Sequence, residues 1–140
     1  MKADKYFIDT NIFLRTIVKE NESQYLACKL IFESIKKNKF KGVTCSLVLA
    51  EVVWVMQSYY HKTRDQISEA LRAIINLRGL EIVRNQNYHL TLDLYERLGV
   101  KYIDAAIASI DAVQQGKWPV ITYDKDFDKL GVIRKEPGRL

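Results

Sequence analysis

The chain is poor in the residues that irregular or covalently stapled proteins depend on. Two prolines and six glycines in 140 residues, with no low-complexity tract, exclude disordered and fibrous classes. Its two cysteines, Cys28 and Cys45, stand in apolar surroundings and form no C-x-x-C. Each reads as a small buried hydrophobe, in keeping with a reducing cytosol rather than with disulfides or zinc. No segment approaches the ~18 continuous apolar residues of a membrane span. The opening Met1-Lys2-Ala3-Asp4-Lys5-Tyr6-Phe7-Ile8-Asp9 meets a charge after three apolar residues, so it lacks a signal-peptide core. The expected setting is cytoplasmic, with no membrane partner.

What remains is an ordinary globular composition, 48% hydrophobic and 28% charged. A chain of this size forms one domain, residues 1–140, and buries enough surface to fold without a staple. Lys and Arg number 22 against 17 Asp and Glu, a net charge of +5. That favours an anionic partner, nucleic acid above all, although many ordinary domains are as basic.

Apolar periodicity divides the chain into alternating strands and helices. Tyr6-Phe7-Ile8 reads as a strand, and Asp9-Thr10-Asn11 then offers caps for a helix. Ser23 is expected to cap a helix in which Leu26, Leu30, Ile31 and Ile35 repeat at helical spacing, ending in Lys36-Lys37-Asn38-Lys39. Phe40 to Cys45 is a second strand, and Ser46 caps a long apolar helix towards Tyr60. Thr63-Arg64-Asp65-Gln66 is a capping box, so residues 46–78 are expected to form a helical hairpin.

Leu80 to Val83 alternates as a strand; a helix from the Asn85–Asn87 caps stops at Gly99, and another runs from Tyr102 to Val113. Pro119 to Tyr123 is a strand, Asp124 to Leu130 a short helix, and Val132-Ile133 a last edge strand. Strands that alternate with helices imply an α/β domain with a mainly parallel central sheet flanked by helices.

The informative residues are acids in apolar company. Glu51 is the lone charge in Leu47-Val48-Leu49-Ala50-Glu51-Val52-Val53-Trp54-Val55-Met56, a helix apolar nearly all round and therefore expected to be buried. Asp104 interrupts Tyr102 to Ala108 in the same way. Asp9 and Asp124 follow apolar strands, at the sheet edge where open α/β sheets bind ligands.

Singly, each acid has an ordinary explanation. Asp9, Asp104 and Asp124 are all placed to cap or turn the chain, and Glu51 can pair with an Arg such as Arg15 or Arg97. Together, at one sheet edge, they repel unless a cation binds. Oxygen ligands without Cys or His select a hard ion, Mg²⁺ or Mn²⁺, and such a site hydrolyses phosphodiesters through an activated water.

These stretches resemble the PIN-domain ribonucleases, and among them the VapC-type toxins of toxin–antitoxin pairs. The resemblance rests on Tyr6 to Asn11, Ser46 to Val53, Tyr102 to Ala108 and Ile121 to Phe127, and spans nearly the whole chain. It implies a metal-dependent endoribonuclease whose acids are Asp9, Glu51, Asp104 and Asp124, both as metal ligands and as catalytic groups. Thr10, Asn11, Ser46 and Thr122 match polar positions that orient those acids, though all four also serve as caps and turn formers.

Asp126 is the second choice for the place given to Asp124, while Asp128 and Asp111 read as surface acids. The resemblance also implies an RNA substrate, a homodimer and a small cognate antitoxin. Lys36, Lys37, Lys39 and Lys41, with His61, Lys62 and Arg64, are candidate RNA contacts, with a solvated charge run at a helix end as the ordinary explanation of any one lysine; His61 and His89 read as surface residues rather than ligands. Tyr59 and Tyr60 suit core or dimer packing better than base stacking. Two alternatives share the pattern: an RNA-processing nuclease without an antitoxin, and a binding module that has lost its chemistry.

Overall fold

Five short strands lie side by side, all parallel, in the computed structural model, which describes residues 3–140. They are β1 (Lys5–Ile8), β2 (Lys41–Cys45), β3 (Leu80–Val83), β4 (Val120–Ile121) and β5 (Arg134–Lys135). Their order across the sheet is β3-β2-β1-β4-β5. The chain moves from β1 outward to β2 and β3, then returns to place β4 on the other side of β1. That reversal opens a crevice beyond the carboxyl ends of β1 and β4, where doubly wound sheets bind their ligands.

Helices make every crossover between β1 and β4, as parallel pairing requires. They are α1 (Thr10–Ile17), α2 (Glu22–Lys36), α3 (Ser46–Ser58), α4 (Arg64–Ile75), α5 (Tyr88–Leu98), α6 (Tyr102–Ala108) and α7 (Asp111–Gln114). A 3₁₀ helix, Lys125–Leu130, joins β4 to β5. Phe7, Ile8, Ile12, Phe13, Val43, Val48, Val52, Ile107, Ile121 and Phe127 form the buried core between sheet and helices. Cys28 and Cys45 are buried free thiols, as expected. No described helix is long and apolar enough to cross a membrane.

The helical hairpin is present as α3 and α4. Thr63 Oγ1 accepts from the Gln66 amide at 3.2 Å while Gln66 Oε1 accepts from the Thr63 amide at 2.9 Å, completing the capping box. Asn87 caps α5, and Gly99 ends it in the left-handed conformation at φ +65°.

Several local expectations are corrected. Asn21, not Ser23, caps α2, because its extended backbone lets Oδ1 accept from the Gln24 amide at 2.9 Å. Cys28, Ile31 and Ile35 form the buried stripe of that helix, and Leu26 and Leu30 face solvent. Ser46 is the first residue of α3 rather than its cap; Cys45 occupies the cap position without a side-chain cap bond.

Nor is α3 buried all round, since Val48, Val52 and Met56 face the core while Trp54 is 66% exposed. The expected helix from Tyr102 to Val113 breaks at Ser109 and Ile110 into α6 and α7. There the Ser109 hydroxyl donates to the Ala106 carbonyl at 2.7 Å, an alternative to continuing the helical ladder. The edge strand falls at Arg134–Lys135 rather than Val132-Ile133, with Val120 opposite Arg134 and Ile121 opposite Lys135.

Candidate metal centre

Each strand at the crevice delivers an acid by ending there. Ile8 closes β1, and Asp9 follows as the cap of α1, with Oδ1 accepting from the Thr10 amide at 2.8 Å. Its Oδ2 accepts from the Asn11 side-chain amide at 3.2 Å and from the Thr122 hydroxyl at 2.7 Å. Asp9 therefore does cap a helix, and the same carboxylate is buried, 3% exposed, at the crevice. Burial, only partly offset by these hydrogen bonds, pushes its pKa up to about 6.

Past β4, Asp124 caps the 3₁₀ helix, its Oδ1 accepting from the Asp126 amide at 2.9 Å. Asp104 enters from the first turn of α6 and is buried, 1% exposed. Its Oδ2 has no hydrogen-bond partner among the described residues. Burial first, and then the charge of Asp9, raise its pKa to about 8; the neighbouring Asp124 carboxylate adds to the rise.

Asp104, Asp124 and Asp126 each offer an oxygen, and these atoms all lie within 4.8 Å of one another. Asp126 thus joins Asp124 in the cluster rather than replacing it. Asp9 and Glu51 flank this triad instead of belonging to it, and the charge of Glu51 contributes to the raised pKa of Asp9. Glu51 is half-buried on α3, not sealed in an apolar core, and among the described residues it pairs with neither Arg15, which bonds Gln24, nor Arg97, which bonds Asp93. Its partner is Lys101, whose Nζ stands 3.8 Å from Glu51 Oε2 and 3.9 Å from Asp124 Oδ2.

Polar neighbours hold the acids in place. Asn11 spans the crevice, donating through Nδ2 to Thr122 Oγ1 at 2.9 Å and accepting the Tyr123 amide on Oδ1 at 3.2 Å. Thr10 is buried, and its hydroxyl lacks a partner among the described residues. Ser46 is exposed and makes no side-chain cap bond. Asp128 is bound at the surface by Arg134, at 3.0 Å.

The lysines expected to carry RNA to the acids are at the wrong end. Lys41 opens β2 opposite Lys5 at the start of β1, so it and the preceding Lys36, Lys37 and Lys39 mark the amino edge of the sheet. Lys101 is the cation that sequence reasoning missed. Its signal was its place: it occupies the amino-terminal cap of α6, where a helix dipole disfavours a positive charge unless acids gather around it.

A hard cation fits these residues. The donors are carboxylate oxygens, three acids each offer one within 4.8 Å of the others, and one buried carboxylate oxygen has no hydrogen-bond partner among the described residues. Fold and site together define the class: a doubly wound α/β domain with an acidic cluster at its switch point.

The chain belongs to the PIN domain family, whose sequence model matches residues 6–133. Its structure is similar to that of VapBC2 from Rickettsia felis, at 23% identity, covering 94% of this chain and 98% of that chain with a TM-score of 0.65. It is also similar to VapC20 from Mycobacterium tuberculosis, at 18% identity, 94% and 99% coverage and a TM-score of 0.66. PAE2754 from Pyrobaculum aerophilum matches at 15% identity, 93% and 88% coverage and a TM-score of 0.63. At such identities the likeness establishes the shared fold. A search of curated proteins found no match by sequence.

Proposed function

We propose that the chain, as a single nuclease domain over residues 1–140, is a cytoplasmic Mg²⁺- or Mn²⁺-dependent endoribonuclease and the toxin of a toxin–antitoxin pair. The observation that carries this reading is the buried Asp104 carboxylate, whose Oδ2 has no hydrogen-bond partner among the described residues and which clusters with Asp124 and Asp126. Asp104, Asp124 and Asp126 would hold the ion, Asp9 and Glu51 would complete its surroundings, and Thr122 and Asn11 would fix Asp9. A divalent ion bound there supplies charge to hold a phosphodiester and lowers the pKa of a water that attacks phosphorus. The protein's contribution is a set of carboxylates whose positions are fixed before substrate arrives. Thr10 orients Asp9 through its backbone amide rather than its hydroxyl, and Ser46 makes no side-chain hydrogen bond to the acids among the described residues.

The structural relatives support an RNA substrate and a protein partner. VapC20 is described as a toxin that cleaves the sarcin–ricin loop, and VapBC2 as a complex bound to a DNA fragment from its promoter. An apolar groove between α1, α2 and α4, lined by Phe13, Ile17, Phe32, Ala73, Ile74 and Leu77, suits the apolar face of an antitoxin helix. Tyr88, Leu92 and Tyr95, all exposed, recur at helical spacing on one side of α5, and Tyr102 packs edge-on to Tyr95. That unpartnered stripe supports a homodimer.

Purified protein incubated with total RNA and Mg²⁺ or Mn²⁺ tests the reading. Discrete cleavage is expected, abolished by excess EDTA and by Asp9→Asn or Asp104→Asn. Undiminished cleavage by both variants, or in EDTA, would refute it.

A further inference from the structure

Lys101 stands in a different relation to the pocket from the other lysines. Its ammonium lies between two acids that reach it from separate elements, Glu51 from α3 and Asp124 from the loop after β4, at 3.8 and 3.9 Å. Neither separation is a hydrogen bond, so the charge is shared between the two carboxylates rather than fixed on one. Its field also acts on Asp9 and Asp104, lowering the cost of their ionisation. Lys129, by contrast, meets Asp126 alone, at 3.4 Å on the rim.

Position and shape make this charge movable. The Lys101 side chain is 57% exposed and hangs on a flexible four-carbon stem. Its backbone carbonyl, not its side chain, anchors α6 by accepting from the Ala105 amide at 3.0 Å. The side chain can therefore leave the pocket without unwinding the helix that presents Asp104.

We propose that Lys101 is a tethered counter-ion: it neutralises the acid pocket when no divalent ion is bound, and a divalent ion must displace it to bind. The inference rests on the metal-centre reading above and deepens it by assigning a residue that sets how much metal the pocket requires. The lysine and a divalent ion share one carboxylate, Asp124, and the ammonium held there and by Glu51 repels a cation entering the triad, so both cannot occupy the site at full strength. Metal binding is weakened by whatever the lysine contributes, and the displaced ammonium is left beside the pocket.

The test is calorimetric titration of Mn²⁺ into metal-free protein without RNA, comparing wild type, Lys101→Met and Lys101→Arg. Methionine keeps most of the stem and removes the charge. Lys101→Met is expected to bind Mn²⁺ on the order of tenfold more tightly, the Coulomb gain being limited by the lysine's exposure. Its metal-free melting temperature should fall and return towards the wild-type value at saturating Mn²⁺. Lys101→Arg should bind within about threefold of wild type, because the charge is retained.

Equal or weaker Mn²⁺ binding by folded Lys101→Met would overturn the proposal while leaving the metal centre intact. A loss of RNA cleavage with unchanged Mn²⁺ affinity would also overturn it, by making Lys101 a substrate contact. Absence of Mn²⁺ binding in every form would overturn both this proposal and the reading on which it rests.

Discussion

The Thr122 hydroxyl donates to Asp9 Oδ2 at 2.7 Å, tying the end of β4 to the end of β1 across 113 residues of sequence. The same oxygen accepts from Asn11 Nδ2 at 2.9 Å and from the Asp124 amide at 3.0 Å. One donor and two lone pairs are all that a hydroxyl has, so Thr122 is fully used. It is also fully buried. Two acids on different loops are thereby referred to one atom, which is how a pocket of mutually repelling groups keeps a defined shape.

Thr122→Val keeps the shape of the side chain and removes that atom. It leaves the Asp124 amide and one Asn11 proton without their acceptor, which costs about 1–3 kcal/mol of stability. Mn²⁺ affinity should fall roughly 10–100-fold, as it does when groups that orient metal ligands are lost. Thr122→Ser should restore most of both. Chemical denaturation and calorimetry read the two effects separately; unchanged affinity in Thr122→Val would refute the orienting role.

Asp104→Asn separates the site from the fold. The buried carboxylate is held at a raised pKa by burial and by Asp9. An amide of the same size carries no charge to desolvate and can donate to Asp124. The metal-free variant should melt no lower than wild type, and by about 1 kcal/mol higher if the charge is the main cost. The rise in melting temperature on adding Mn²⁺ should disappear. A variant that melts well below wild type without metal would make Asp104 a structural residue.

Gly79→Ala examines the opposite end of the sheet. Gly79 has φ +90°, and a Cβ there would stand 2.6 Å from the Ile35 backbone carbonyl oxygen. Backbone against backbone cannot yield as a side chain can. Its own carbonyl accepts from the Gly42 amide at 3.0 Å, so a shift would also disturb β2. The substitution should cost about 2 kcal/mol or more, seen as a lower denaturation midpoint. Mn²⁺ affinity of the folded protein should not change, because the carboxyl edge lies at the other end of the strands.

What was legible in the sequence was local. Thr63 with Gln66, Asn87 and Gly99 each mark a helix end through bonds to residues within a turn, and all are found as read. Asp9 and Asp104 stand out in the sequence because a charge among apolar residues needs a reason wherever the chain folds, and both are buried. Hydrophobicity alone misread α3, since an apolar residue is equally expected in a core and on a face without a partner; Trp54 is of the second kind. Val132-Ile133 has the stronger strand signal than Arg134–Lys135, but backbone pairing with β4 sets the edge strand. Only its place at a helix start marks Lys101 in the sequence, because its partners come from residues 50 and 23 positions away. The same tertiary step separated Lys36 to Lys41 from the site.

The raised pKa values of Asp9, about 6, and Asp104, about 8, fix the sign of the pH dependence. Between roughly pH 4 and pH 8 the folded chain keeps protons at these two carboxyls that the unfolded chain has already released, so metal-free stability falls as pH rises through that window. A divalent ion has the opposite preference, because it binds the ionised carboxylates and expels those protons. Thermal melts should therefore show metal-free protein on the order of 10 °C less stable at pH 8.5 than at pH 5.5. Saturating Mn²⁺ should raise the melting temperature more at pH 8.5 than at pH 5.5. Asp104→Asn should flatten the upper part of the metal-free profile and leave the lower part, which belongs to Asp9. A metal-free stability that rises from pH 5.5 to pH 8.5 would mean that the folded pocket favours ionised carboxylates even without a cation, and would remove the physical case for a bound ion.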